Sequence, residues 1–126
     1  MTQAMTRDVT ATVDAYFAMW NQEDTAVRAK HIEEAWTEDG RYSDPARDAQ
    51  GHAALSEMVA AARPQFPGHS VKQSSGIDAH HESIRFAWEV VAPDGSVAVA
   101  GIDVGVLAPD GRLRQITGFF GELPQQ

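Results

Sequence analysis

In Arg41-Tyr42-Ser43-Asp44-Pro45 a carboxylate stands directly before a proline. Pro45 lacks an N–H and steers Asp44 towards an extended backbone. A carboxylate held at a strand end, with aromatic residues nearby in sequence, is a candidate for a partly desolvated acid or base. It is equally a candidate for a turn aspartate that accepts backbone N–H groups. A second carboxylate, Asp103, interrupts the apolar run 97–107 and has Gly101 and Gly105 as neighbours on its own face. Two absent side chains beside a carboxylate leave a hollow or mark a bulge. The direction of Asp103 depends on a hairpin register. If Pro93-Asp94-Gly95 is a three-residue loop pairing Ala92 with Ser96, counting back without a bulge sets Asp103 opposite Arg85, as a structural ion pair. One bulge shifts the faces, because side chains alternate with period two. Asp103 then joins Ile84, Phe86 and Trp88, where burial would tend to keep it protonated. The sequence leaves both registers open.

The elements that position these groups follow from hydrophobic period. Residues 6–21 form a helix, with Val9, Val13, Tyr16, Phe17 and Trp20 on one stripe and Thr6 as its cap. Tyr16 lies mid-stripe and faces the core. A second helix covers about 25–36, with Asp24 or Thr25 as cap. Glu38-Asp39-Gly40 reads as a turn, with Gly40 free to take a positive φ, and 41–44 as a short strand. A third helix, 51–63, presents Leu55, Met58, Val59 and Ala62. From His69 the chain reads as strands: 70–78 interrupted at Gly76, then 83–91, 97–107 and 112–120. The turns Pro93-Asp94-Gly95 and Pro109-Asp110-Gly111 join the last three into an antiparallel meander. Helices cover one face of such a sheet, an α+β arrangement. The strand 97–107 is apolar on both faces, so a second copy of the chain is expected to cover the other face as a homodimer.

Composition narrows the chemistry. The 126 residues suit one domain, 1–126, with a sizeable core. There is no cysteine, which excludes disulfides, thiolate catalysis and cysteine-held metals. The net charge is −8 with no basic run, so nucleic acid is not an expected partner. No apolar run is long enough to span a membrane and no secretory leader is visible, so a cytoplasmic location is expected. His80 and His81 are adjacent at a turn or strand start, where neighbours in a strand would point to opposite faces, and His31, His52 and His69 add no ligand spacing. No metal site and no cofactor are expected. There is no Ser-His-Asp set, phosphate loop or redox signature.

In element order, and in the segments Tyr16-x4-Asn21, Trp36 to Pro45, Gly51-His52-Ala53-Ala54-Leu55, Ala100-Gly101-Ile102-Asp103 and Gly118-Phe119-Phe120-Gly121-Glu122, the chain resembles the nuclear-transport-factor-2-like superfamily. It resembles especially the ketosteroid isomerases and the SnoaL-like polyketide cyclases. The resemblance implies a cone-shaped α+β fold, with three N-terminal helices packed on a curved antiparallel sheet. It implies Tyr16, Asp44 and Asp103 as catalytic residues: Asp44 the base, Tyr16 and protonated Asp103 the donors to an enolate oxygen. Trp20, Tyr42, Met58, Trp88 and Phe120 are the expected ligand-binding residues, around a small hydrophobic molecule. The expected activity is cofactor-independent isomerisation or cyclisation. The alternatives are a non-catalytic binding or dimerisation module and an epoxide-hydrolase-like enzyme. The last needs an arginine bridging two pocket acids.

Overall fold

The computed structural model describes residues 8–126. Helix α1 (Val9–Asn21) begins at Asp8, whose carboxylate accepts from the Thr10 N–H. Asp8 is therefore the cap; Thr6, expected in that role, lies outside the described residues. The stripe holds as read: Val13, Tyr16 and Phe17 are buried. Helix α2 (Thr25–Ala35) is capped by Asp24, which accepts from the Val27 N–H at 3.0 Å. Helix α3 (His52–Ala62) buries Leu55, Val59 and Ala62. A short 3₁₀ turn, Arg63–Gln65, follows it, with Pro64 inside.

Strand β1 (Trp36–Asp44) is longer than expected. Glu38-Asp39-Gly40 is not a turn but part of this strand, and Gly40 does not take a positive φ. The glycine serves packing instead. A Cβ there would lie 2.5 Å from Cε3 of Trp36, a ring fully buried in the core. Pro45 and Ala46 turn the chain into β2 (Arg47–Gln50), a strand the sequence reading omitted. Beyond α3 come β3 (Ser70–Gln73), β4 (Asp78–His80), β5 (Ser83–Val91), β6 (Val97–Leu107) and β7 (Leu113–Phe120). The seven strands form one sheet in the order β2-β1-β7-β6-β5-β3, with β4 also paired to β5. The meander β5–β6–β7 is antiparallel as expected, but β1 runs parallel to β7, so the sheet is mixed. No hairpin links β1 to the meander, and its direction is therefore free of the antiparallel constraint. The three helices pack on one face of the curved sheet. Among the described residues no helix is long and apolar enough to cross a membrane.

The hairpin register resolves the direction of Asp103. The Ala92 N–H donates to the Ser96 carbonyl at 2.8 Å, and Gly95 at φ 89° closes the three-residue loop. The ladder then slips: Val91 pairs with Val97 but Val90 pairs with Val99. Ala98 is the extra residue of a bulge, and Asp103 falls opposite Phe86 instead of Arg85. Arg85 lies on the outer face, paired with Asp78 at 2.8 Å. The same shift turns Ile102 and Val104 outward, where with Phe119 they form an exposed apolar strip.

Candidate active site

A cavity of about 300 Å³ lies between the helices and the sheet. Helix α1 brings Tyr16 and Trp20 to it, β1 brings Tyr42 and Asp44, β5 brings Trp88, β6 brings Asp103 and β7 brings Phe120. The structure thus gathers seven of the eight expected site residues in one hollow. Met58 is the exception. It packs against the core from α3 and does not line the cavity, because α3 sets Leu55 and Val59 against the core and reaches the hollow only with Ala62.

The carboxyl groups have different surroundings. Asp103 is 2% exposed. The Tyr16 hydroxyl donates to its Oδ2 at 2.6 Å and the Trp88 indole N–H to its Oδ1 at 3.0 Å. Burial pushes its pKa up to about 7; the bonds from Tyr16 and Trp88 pull down, and the charge of Asp44 pushes up again. Burial likewise raises the Tyr16 hydroxyl well above its ordinary value, with the Asp103 charge adding to it. Asp44 accepts at Oδ2 from the Tyr42 hydroxyl at 2.5 Å and from Arg47 at 3.3 Å, and at Oδ1 from the Ala46 N–H at 2.8 Å. The turn reading and the pocket reading of Asp44 therefore describe one residue: the Ala46 bond shapes the turn after Pro45, and the same side chain lines the cavity. Of about four lone-pair positions on a carboxylate, three are used and one is open. Burial also raises the Tyr42 hydroxyl, followed by the Asp103 charge.

Gly118 joins the two acids in space. A Cβ there would lie 2.8 Å from Oδ1 of Asp103, 3.3 Å from Cβ of Asp44 and 3.4 Å from the Tyr42 hydroxyl. Asp103 and Gly118 are paired across β6 and β7, while β1 packs beside β7. The missing side chain lets both carboxyl groups border the same space.

The walls are aromatic. Trp20 meets Tyr42 edge-on at 5.4 Å between centroids, and Trp88 meets Phe120 at 5.8 Å. Arg47, Arg63, Phe66 and His69 also line the cavity and were missed in the sequence. Arg47 had one usable signal, three residues after Asp44 across a proline. Arg63 had none, since it reaches the cavity from the end of α3. Among the described residues no group of three or more His, Asp or Glu side chains is placed to hold a metal ion. His52 is bonded to the carbonyls of Trp36 and Thr37, and His80 to His81.

Such a set can accept a proton at one carboxylate and donate hydrogen bonds from a hydroxyl and a protonated carboxyl, with water largely replaced by aromatic surface.

Residues 13–116 match the SnoaL-like domain family. A crystal structure described as a candidate isomerase of the SnoaL-like family, from Agrobacterium tumefaciens str. C58, is 34% identical. The match covers 97% of this chain and 100% of that one, with a TM-score of 0.84. A protein of unknown function from Exiguobacterium sp. 255-15, described as NTF2-like, is 17% identical over 89% of this chain and 99% of its own, with a TM-score of 0.69. A candidate SnoaL-like polyketide cyclase from Jannaschia sp. CCS1 is 16% identical over 88% and 85%, with a TM-score of 0.64. At these last two identities the likeness is one of fold. No curated protein matches the chain.

Proposed function

The chain belongs to the SnoaL-like domain family, and on that premise we propose that it is a cofactor-independent proton-transfer enzyme, an isomerase or cyclase, acting on a small hydrophobic carbonyl compound. One observation carries the reading: Asp44 and Asp103, each bonded to its own tyrosine, face one another across Gly118 in an aromatic cavity. With Asp103 protonated, the 2.6 Å contact to Tyr16 runs from the carboxyl to the phenol oxygen and frees the Tyr16 O–H for a ligand. Tyr16 then donates to the substrate carbonyl oxygen. Asp44 takes a proton from the carbon beside that carbonyl through its open lone-pair position. The electron pair of the broken C–H bond moves to the carbonyl oxygen, where the developing charge is met by the Tyr16 O–H, itself held by protonated Asp103. An isomerase returns the proton from Asp44 to another carbon. A cyclase lets the enolate carbon attack a second carbonyl of the same molecule, whose C=O π bond opens to an alkoxide that takes up the proton held by Asp44.

At about 300 Å³ the hollow stands at the low end of small-molecule sites, roughly 300–1,000 Å³. That favours one or two rings over a steroid. Water-activating hydrolysis of an epoxide is disfavoured, because Arg85 lies on the outer face with Asp78 and bridges no pocket acids. A second copy of the chain is proposed to cover the strip of Ile102, Val104 and Phe119.

The direct test is deuterium incorporation from D2O into small cyclic β,γ-unsaturated ketones and β-diketones, followed by proton NMR. The wild-type chain should exchange the acidic C–H above the buffer rate. Asp44→Asn should lower that rate about 10²–10⁴-fold, the usual contribution of a positioned base. A wild-type protein that binds these ketones but exchanges none of them would be a binding module, and the enzymatic reading would fall.

A further inference from the structure

The cavity has two chemically different ends. Tyr16 and Asp103, each 2% exposed, stand at the buried end. Arg47 and Arg63 line the same cavity with side chains 20% and 27% exposed, where it approaches solvent. Neither guanidinium is saturated. Arg47 donates from its terminal nitrogens to Asp44 at 3.3 Å and to Gln65 at 3.5 Å, and its Nε–H has no partner among the described residues. Arg63 donates to the Trp20 carbonyl at 3.1 Å and to Glu23 at 3.4 Å. The Glu23 side chain is 85% exposed, so that pair is screened and weak. His69 adds a ring to the same wall, with Nδ1 against the Pro67 carbonyl at 2.9 Å. Each guanidinium offers five N–H donors in a planar fork that matches a carboxylate. Cations half-buried in an apolar wall with donors to spare are best matched by an anion.

We propose that the ligand of this cavity carries a carboxylate at the end remote from its reacting carbonyl, and that Arg47 and Arg63 hold it. The carbonyl end of this assignment rests on the proton-transfer reading; the carboxylate end rests on the arginines alone. The charge also sets direction. A carboxylate is repelled by Asp44, gains nothing from the neutral buried end at Tyr16 and protonated Asp103, and is attracted by the two guanidinium groups, so the neutral end of the molecule enters first.

Calorimetric titration with three probes of one ring system tests it. 2-Naphthoate carries the anion, 2-naphthalenemethanol is a neutral analogue of similar shape, and 2-naphthol offers only a hydroxyl to the acid end. At pH 7 the wild-type chain should bind 2-naphthoate about tenfold or more tighter than 2-naphthalenemethanol, the worth of one charge-assisted contact. Arg47→Gln and Arg63→Gln should each remove most of that preference while leaving the neutral alcohol within about twofold of its wild-type affinity. If circular dichroism shows that one variant does not fold, the other decides. Equal wild-type affinities, or a preference that survives substitution, would overturn the proposal. 2-Naphthol keeps the two readings apart. Failure of 2-naphthol to bind, with an arginine-dependent preference for 2-naphthoate intact, removes the proton-transfer reading and leaves this one. Tight 2-naphthol with no preference for 2-naphthoate does the reverse.

Discussion

Asp103 is the residue on which the site's acid–base character turns. Its folded pKa of about 7 lies above the ordinary 3.8, because burial disfavours the charged form more than the Tyr16 and Trp88 bonds favour it. The folded state therefore holds this proton more tightly than the unfolded chain. Its contribution to stability is complete below about pH 4 and is lost as pH rises through about 7. Asp103→Asn removes the titrating group and keeps the shape. Its melting temperature, compared with wild type across pH 4–8, should show a flatter curve and a relative gain of a few kcal/mol at the alkaline end. Parallel curves would mean that Asp103 does not titrate in that window. Exchange activity should fall on the alkaline side with a midpoint near 7, as the protonated donor is lost. Tyr16→Phe should leave Asp103 without its 2.6 Å partner and slow exchange by about one to two orders of magnitude, a smaller loss than for Asp44→Asn. If Tyr16→Phe exchanges at the wild-type rate, Tyr16 is not a donor to the reacting oxygen.

At the scale of elements, glycines in the sheet decide what can approach what. A Cβ at Gly118 would meet a carboxyl oxygen of Asp103, the Tyr42 hydroxyl and the Cβ of Asp44, the first two being ends of side chains that can move; a Cβ at Gly101 would meet the Phe119 carbonyl oxygen, a backbone atom, and the Trp88 ring at 2.6 Å. Gly101→Ala should therefore destabilise more than Gly118→Ala in urea unfolding, with the latter costing about 1–3 kcal/mol as ordinary overpacking. Gly118→Ala should instead show its effect in ligand binding, weakening 2-naphthol by about tenfold or more through displacement of Asp103. Equal destabilisation by both would contradict this division. Much of the element order was legible. The Tyr16 stripe, the strand 83–91 and both Pro-Asp-Gly turns announce themselves through period and turn chemistry. Two features were not. Glu38-Asp39-Gly40 carries turn residues yet lies within β1, in a stretch where the pairing with β7 shifts register between Trp36 and Arg41, and Gly40 is there because the Trp36 ring claims the space that a side chain would need. The strand β2 has only four residues and no apolar alternation to reveal it.

For the whole molecule, the outer face of the sheet raises a question of assembly. Ile102 and Phe119 are paired across β6 and β7 and are 46% and 57% exposed, with Val104 beside them at 41%. An apolar strip on a sheet face is a surface that a second copy can cover. Light scattering coupled to size exclusion should find a dimer for wild type and a monomer for Phe119→Glu, with the fold retained by circular dichroism. A monomeric wild type at micromolar concentration would sink the dimer.

The amino-acid sequence by itself determined the helices, the meander and the identity of the polar residues, because local period and turn chemistry are written in neighbouring residues. It also carried the family resemblance that joins Tyr16, Asp44 and Asp103. Only the tertiary structure decided which way Asp103 points. That turns on Ala98, one extra residue in a ladder, and a side-chain period of two makes a single insertion enough to exchange the faces of the strand. The same holds for Arg47 and Arg63. Nothing local marks them as neighbours, and they meet one cavity because a hairpin after Pro45 and the end of α3 converge over the sheet.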